Sequence, residues 1–212
     1  ITYLTKQARK MLDDAGLPQC KIVVSNALDE YLIEDLISQG AQIDTFGVGE
    51  RLITARSEPV FGGVYKLVAI EKDGEIVPKI KISENVAKIT NPHYKKVYRI
   101  YDKATGKAVA DQLCIHDEVL TEDEPIVLFD PNAIWKKKTV TSFTLRELLV
   151  PIFKNGKCVY KRPALDEIRD YCEKQCDTLW EEVKRFENPH KYYVDLSYKL
   201  WEIKRELLLS GK

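Results

Sequence analysis

Lys21-Ile22-Val23-Val24-Ser25-Asn26 is followed, one helical pattern later, by Ile43-Asp44-Thr45-Phe46-Gly47-Val48-Gly49-Glu50-Arg51-Leu52. Each passage is a short apolar run that opens into a small polar or glycine-bearing loop before a helix. Near-continuous apolar strands belong inside parallel sheets, where both faces are covered. Leu28, Leu32, Ile33, Leu36 and Ile37 give the intervening helix one apolar face, and Gly40 stops it. Asn26 is placed to cap that helix, with Asp29 and Glu30 in its first turn, where the dipole favours carboxylates. Upstream, Thr5 to Ala15 reads as a helix closed by Gly16. The first 55 or so residues therefore follow βαβ logic.

The pattern then changes. Glu58-Pro59 and Gly62-Gly63 mark a boundary. Two hairpins are predicted: Tyr65 to Glu71 with Glu75 to Ile82 about Asp73-Gly74, and Val97 to Asp102 with Lys107 to Ile115 about Thr105-Gly106. Ser83 to Tyr94 reads as a polar loop. Further strands are expected at Ile126–Phe129, Thr139–Phe143, Leu148–Phe153 and Lys157–Tyr160. Two helices close the chain. The first starts at Pro163 with Leu165, Ile168, Cys172, Leu179, Val183 and Phe186 as its buried face, and the second uses Leu196, Leu200, Ile203 and Leu207. The expected class is α/β: the C-terminal part of an irregular α/β barrel (1–60), an antiparallel β-rich region (61–160), and two C-terminal helices (161–212). A complete barrel needs about eight strand-helix units, so the organisation is that of a fragment. Ile1 at the start and Met11 as the single methionine give the same expectation.

Composition narrows the function classes. With 33 basic and 33 acidic residues the formal charge is zero, which counts against a nonspecific nucleic-acid binder. Lys95-Lys96 and Lys136-Lys137-Lys138 are expected on solvated strand edges, where lysine discourages edge pairing. No run reaches the roughly 18 apolar residues of a membrane span, and no signal-peptide core opens the chain. Five scattered cysteines suit a reducing cytoplasm better than a disulfide framework.

The Gly47-Val48-Gly49 loop is the best candidate for chemistry. Glycines let backbone N–H groups approach an anion, and a following helix turn aims further amides at it. Ser25-Asn26, at the neighbouring strand's C-terminal end, strengthens the reading. Cys172-x-x-x-Cys176 has metal-like spacing, but no second pair completes four ligands, so buried core thiols are expected. His93, His116 and His190 have no nucleophile beside them in a recognisable arrangement; His93 and His116 are expected to be structural or solvated.

Val24-Ser25-Asn26 through Asp29-Glu30, Gly47 to Leu52, and Gly62-Gly63-Val64-Tyr65-Lys66-Leu67-Val68 together resemble the nicotinate phosphoribosyltransferase family. Lys79 to Asn85, Lys88, Thr90-Asn91-Pro92 and Val97-Tyr98-Arg99 extend the resemblance, which runs to the final helix and matches the C-terminal part of such enzymes. The resemblance implies a type II phosphoribosyltransferase, commonly a cytoplasmic homodimer. Such enzymes join nicotinate to phosphoribosyl pyrophosphate, coupled to hydrolysis of ATP with Mg, and form nicotinate mononucleotide for NAD salvage. It also implies that Ser25, Asn26, Gly47, Gly49 and Glu50 serve the substrate's 5′-phosphate. The catalytic histidine and the base-binding residues are expected before Ile1, so no catalytic residue is assigned here.

Glu50, where relatives often have Thr, and His93, where they often have Gly, depart from the pattern. A carboxylate facing phosphate would repel it, so Glu50 is expected to act through its amide and turn toward Arg51. Alternatives are a related phosphoribosyltransferase for nicotinamide or quinolinate, and a noncatalytic piece used for packing or dimerisation.

Overall fold

The computed structural model describes residues 1–60 and 62–210. The chain divides into two compact units, Ile1–Val64 and Tyr65–Lys212.

In the first unit, α1 (Thr2–Asp14) precedes β1 (Val23–Ser25), α2 (Glu30–Ser38), β2 (Thr45–Gly47) and the one-turn α3 (Glu50–Ile53). Strands β1 and β2 pair in parallel, with Ser25 opposite Gly47, so the expected βαβ unit is present. Leu28 and Leu36 supply its buried apolar side chains. The loop between α1 and β1 is held by Arg9, which donates to the carbonyls of Leu17 (3.0 Å) and Cys20 (2.7 Å). Asp44 splints the two strands, accepting from the Ile22 amide at 2.8 Å and pairing with Lys21.

One expectation needs correction here. The cap of α2 is Asp29, whose carboxylate accepts from the Leu32 amide at 2.9 Å. Asn26 sits at φ 92 and Ala27 at φ 50, a left-handed bend that carries the chain away from the strand end before the helix begins.

The second unit opens with the hairpin β3 (Ala69–Lys72) and β4 (Glu75–Pro78), turning at Asp73-Gly74, where both residues have positive φ. Its main sheet uses β5 (Lys95–Asp102) and β6 (Ala108–Ile115), beside the separate hairpin β7 (Ile126–Asp130) and β8 (Ala133–Val140). β9 (Phe143–Glu147) joins β5, and a small hairpin follows from β10 (Phe153–Lys154) and β11 (Lys157–Cys158). Then come α4 (Leu165–Asp177), α5 (Glu181–Lys184), β12 (Val194–Leu196) and α6 (Tyr198–Ser210). The four-stranded sheet has order β12-β6-β5-β9, with β12 parallel to β6.

Two apolar clusters hold this unit. Ile100 and Ala110 meet Ile126, Leu128, Val140 and Phe143, which seats the β7–β8 hairpin on the sheet. Ile115, Leu196 and Leu200 form the other, which seats α6. Burying such side chains contributes roughly 1.5–3 kcal/mol each.

Several expectations are overturned in this unit. The strand expected at Thr139–Phe143 is divided, because β8 ends at Val140 and Phe143 starts β9 in a different sheet. Leu148–Phe153 is not a strand over its length; only Phe153 enters β10. Instead of two closing helices there are three helical segments, and Leu196 lies in β12 rather than in the last helix.

The apolar face of α4 is not buried: Leu165 is 71% exposed and Ile168 46%. Polar contacts anchor this helix instead. Arg146 donates to Gln175 Oε1 (3.0 Å) and the Tyr171 hydroxyl (2.9 Å), and Lys107 caps the C-terminal end through the Asp177 carbonyl (2.7 Å).

Cys172 and Cys176 lie on the exposed surface of α4, not in a core. Lys95 is not a solvated edge lysine either. Its ammonium donates to the carbonyls of Asn91, Pro92 and His93 at 2.9, 3.2 and 2.7 Å, and burial lowers its pKa. It closes the loop before β5 as an internal cation.

The free thiols divide sharply. Cys114 is fully buried, and burial pushes its pKa up to about 12; Cys20, Cys158, Cys172 and Cys176 are exposed. Thiol labelling of the native protein at neutral pH should modify the exposed four rapidly, while Cys114 reacts only on unfolding. Equal labelling of Cys114 under native conditions would contradict the packing described.

Candidate functional site

The parallel register decides what meets at the strand ends. Ser25 lies opposite Gly47, and its hydroxyl donates to the Gly47 carbonyl at 3.1 Å. A Cβ on Gly47 would fall 3.0 Å from Ser25 Oγ and 3.1 Å from Ser25 Cβ. Glycine at 47 is therefore what lets the serine close over the neighbouring strand. Gly49 differs: a Cβ there meets nothing within 4 Å. It is the residue from which α3 starts, and its carbonyl accepts from Leu52 and Ile53 at 3.0 Å.

Beyond β1, the left-handed pair Asn26–Ala27 turns the chain at the same strand ends. Ser25, Asn26, Gly47, Gly49 and Glu50 are all exposed. The structure thus brings these five expected residues to one end of a two-stranded parallel sheet.

Arg51 does not turn toward Glu50. Its guanidinium pairs with the Asp29 carboxylate, which ties the first turn of α3 to the N-terminus of α2. The Leu32 amide, with help from Arg51, holds the Asp29 carboxyl below the usual carboxylate range. Arg51 Nε is buried without a partner among the described residues. The Asp29–Arg51 link was missed from sequence, because Asn26 looked like the better cap. The Asp29-x-x-Leu32 spacing could have found it.

His93, His116 and His190 all belong to the second unit. His93 is buried at φ 79, its Nδ1 donates to the Tyr94 carbonyl at 3.1 Å, and its ring lies 5.7 Å from that of His116. Both lie in the second unit, and among the described residues neither ring is paired with a thiol or hydroxyl nucleophile. Among the described residues no group of three or more His, Cys, Asp or Glu side chains is placed to hold a metal ion. No helix described is long and apolar enough to cross a membrane.

The structure superposes on human nicotinic acid phosphoribosyltransferase with a TM-score of 0.72 at 23% identity, over 98% of this chain and 38% of that one. It also matches nicotinate-nucleotide pyrophosphorylase from Pyrococcus furiosus with a TM-score of 0.55 at 26% identity, over 84% and 36% of the two chains.

The family model for the nicotinate phosphoribosyltransferase C-terminal domain matches residues 94–204. The chain belongs to the nicotinate phosphoribosyltransferase family. It is 43% identical to nicotinate phosphoribosyltransferase of Bacillus subtilis (strain 168) over 212 residues, all of this chain and 43% of that protein. The enzyme of the same name from Caenorhabditis elegans is 32% identical over all of this chain and 38% of its own length. The chain thus spans about two fifths of the length of these relatives.

Proposed function

We propose that this chain is part of a nicotinate phosphoribosyltransferase that joins nicotinate to phosphoribosyl pyrophosphate, giving nicotinate mononucleotide and pyrophosphate for NAD salvage. The observation that carries the reading is the Ser25–Gly47 register, in a chain that belongs to this family. Ser25 and Asn26 on one strand end, with the Gly47–Gly49 loop and the Glu50 amide on the other, bind the 5′-phosphate. Glu50 contributes its backbone amide while its carboxylate stays in solvent.

Breaking the ribosyl–pyrophosphate bond builds positive charge on the sugar, so a rigidly held 5′-phosphate keeps C1 in line between base and leaving group. That positioning is the task of this segment. The Asp29–Arg51 pair holds the two loops in place for it.

ATP and Mg2+ belong to the proposed reaction, but no residue of this chain is assigned to them. The working form proposed is a cytoplasmic homodimer. The barrel proposed for residues 1–60 takes its remaining strands from elsewhere in the protein, and residues 61–160 and 161–212 form accessory β and helical regions.

A base panel tests the reading. Full-length protein supplied with phosphoribosyl pyrophosphate and Mg2+-ATP should convert nicotinate, with nicotinamide and quinolinate each at least about 100-fold poorer in kcat/KM. Preferential turnover of quinolinate or nicotinamide would overturn the assignment of substrate.

A further inference from the structure

The strand ends of the first unit carry acidic side chains close to where an anion is assigned. Asp29 caps α2, Glu30 lies in its first turn, and Glu50 lies in the first turn of α3. Ser25, Asn26, Gly47 and Gly49 bring no positive charge of their own. Arg51, next to Glu50, pairs with Asp29. A phosphate ester with up to two negative charges is sensitive to how such groups balance.

Both members of the pair belong to the loops at the strand ends. Asp29 follows the left-handed Asn26–Ala27 bend by two residues, and Arg51 follows Gly49 by two. The pair is partly withdrawn from water, with the Asp29 side chain 20% exposed and that of Arg51 29%. Charges at such depth are screened less than charges on an open surface. Asp29 Oδ1 accepts from the Leu32 amide at 2.9 Å, and Oδ2 takes the Arg51 guanidinium. Arg56 is a second cation that acts on this carboxylate.

Such a pair affects a bound phosphate in two ways. It ties the loops together, and it cancels a carboxylate beside the anion. The loops have other ties. Ser25 is in register with Gly47 and its hydroxyl donates to the Gly47 carbonyl. The Gly49 carbonyl accepts from Leu52 and Ile53, and the Arg56 amide donates to the Arg51 carbonyl. The cap of α2 does not need Arg51, because the Leu32 bond uses the other carboxylate oxygen. None of these contacts replaces the positive charge.

We infer that Arg51 is a positioning residue that acts on the phosphate through charge: by neutralising Asp29 it keeps the strand-end cluster receptive to an anion that a bare carboxylate would repel. This role rests on the 5′-phosphate assignment proposed above and adds a residue outside the five assigned to it. Charge and tie are separable, because cutting a tie has the same effect from either end. Removing one charge of the pair has opposite effects depending on which is removed.

Steady-state kinetics of the full-length protein test this, with Arg51→Met, Asp29→Asn and the double variant. Asparagine caps a helix as well as aspartate, so Asp29→Asn removes the charge and keeps the cap. Arg51→Met should raise the KM for phosphoribosyl pyrophosphate about tenfold, with kcat and the KM for nicotinate within about twofold of the parent. Asp29→Asn should leave that KM unchanged or lower it. The double variant should return to within about threefold of the parent, and Arg51→Lys should do the same. In 0.5 M KCl the Arg51→Met effect should shrink to less than half its low-salt ratio.

An unchanged KM in Arg51→Met, a rise in Asp29→Asn as large as that in Arg51→Met, or no recovery in the double variant would each overturn the inference. So would an Arg51→Met effect that salt leaves untouched. Should Arg51→Met fail to fold by circular dichroism, Asp29→Asn alone decides, since a tie predicts weaker binding and charge predicts equal or tighter binding. Gly49→Asp separates this role from the site itself. If Gly49→Asp raises the KM for phosphoribosyl pyrophosphate and Arg51→Met does not, only the role of Arg51 falls; if neither does, the phosphate assignment falls with it.

Discussion

Asp111→Ala should be among the most destabilising single changes in the second unit, lowering its unfolding free energy by about 3 kcal/mol. Asp111 is buried and receives two parallel bonds from Arg99, Nε at 2.8 Å and Nη2 at 2.9 Å, and a third from the Tyr192 hydroxyl at 2.8 Å. Arg99 also lies against the Tyr192 ring, 5.7 Å from its centroid. The bidentate pair raises the Arg99 pKa further, and burial first, then the bond to Asp111, raises that of Tyr192.

Removing Asp111 leaves a guanidinium half-buried with no counter-charge, and that orphaned charge costs more than the pair contributes. Urea denaturation should show a lower midpoint with an unchanged slope, and Tm should drop by roughly 6–12 °C. Tyr192→Phe removes one neutral donor and should cost about 1 kcal/mol. The double variant Arg99→Met/Asp111→Leu should recover much of the loss, because neither charge remains. A loss under about 0.5 kcal/mol for Asp111→Ala, or simple addition of the two single effects in the double variant, would refute this account.

The same pair shows where sequence reading stops. The hairpin of β5 and β6 was legible from two alternating runs about Thr105-Gly106. Counting outward from Tyr101 opposite Ala108 would set Arg99 against Ala110. A register shift between Ile100 and Tyr101 moves the pairing by one residue and brings Arg99 opposite Asp111 instead. A bulge leaves no strong mark on a sequence, yet it selects which charges meet.

β12 was illegible for another reason. Three residues, Val194–Leu196, pair in parallel with a strand some 80 positions earlier and run straight into the apolar pattern of α6. In α4 the periodicity was real but its burial was not, because polar contacts from Arg146 and Lys107 hold the helix. At the candidate site, the strand–loop–helix order was readable because glycines and short apolar runs are local signals. The Asn26–Ala27 bend and the Asp29–Arg51 brace depend on how α2 and α3 meet, which is a tertiary fact.

Gly49→Asp should weaken phosphoribosyl pyrophosphate binding by about 100-fold, or about 2.7 kcal/mol, while the protein still folds. The argument rests on the difference between two glycines. At Gly47 any side chain strikes Ser25, so a substitution there perturbs the strand ends themselves and cannot separate sterics from charge. At Gly49 an added Cβ finds open space, so the cost of a carboxylate is electrostatic. Two negative charges on a phosphate, met by one carboxylate at close range and moderate screening, give a penalty of this order.

Gly49→Asn is the decisive control. It is nearly isosteric with Asp and uncharged, and should keep affinity within about fivefold of the parent. Glu50→Gln should change affinity little, since the Glu50 side chain is exposed and Arg51 pairs with Asp29 rather than with it. The KM for phosphoribosyl pyrophosphate should carry the Gly49→Asp effect, with the KM for nicotinate nearly unchanged. If Gly49→Asp and Gly49→Asn prove equally impaired, bulk rather than charge is responsible. If neither is impaired, the loop does not hold the phosphate, and the strand-end cluster loses its assigned role.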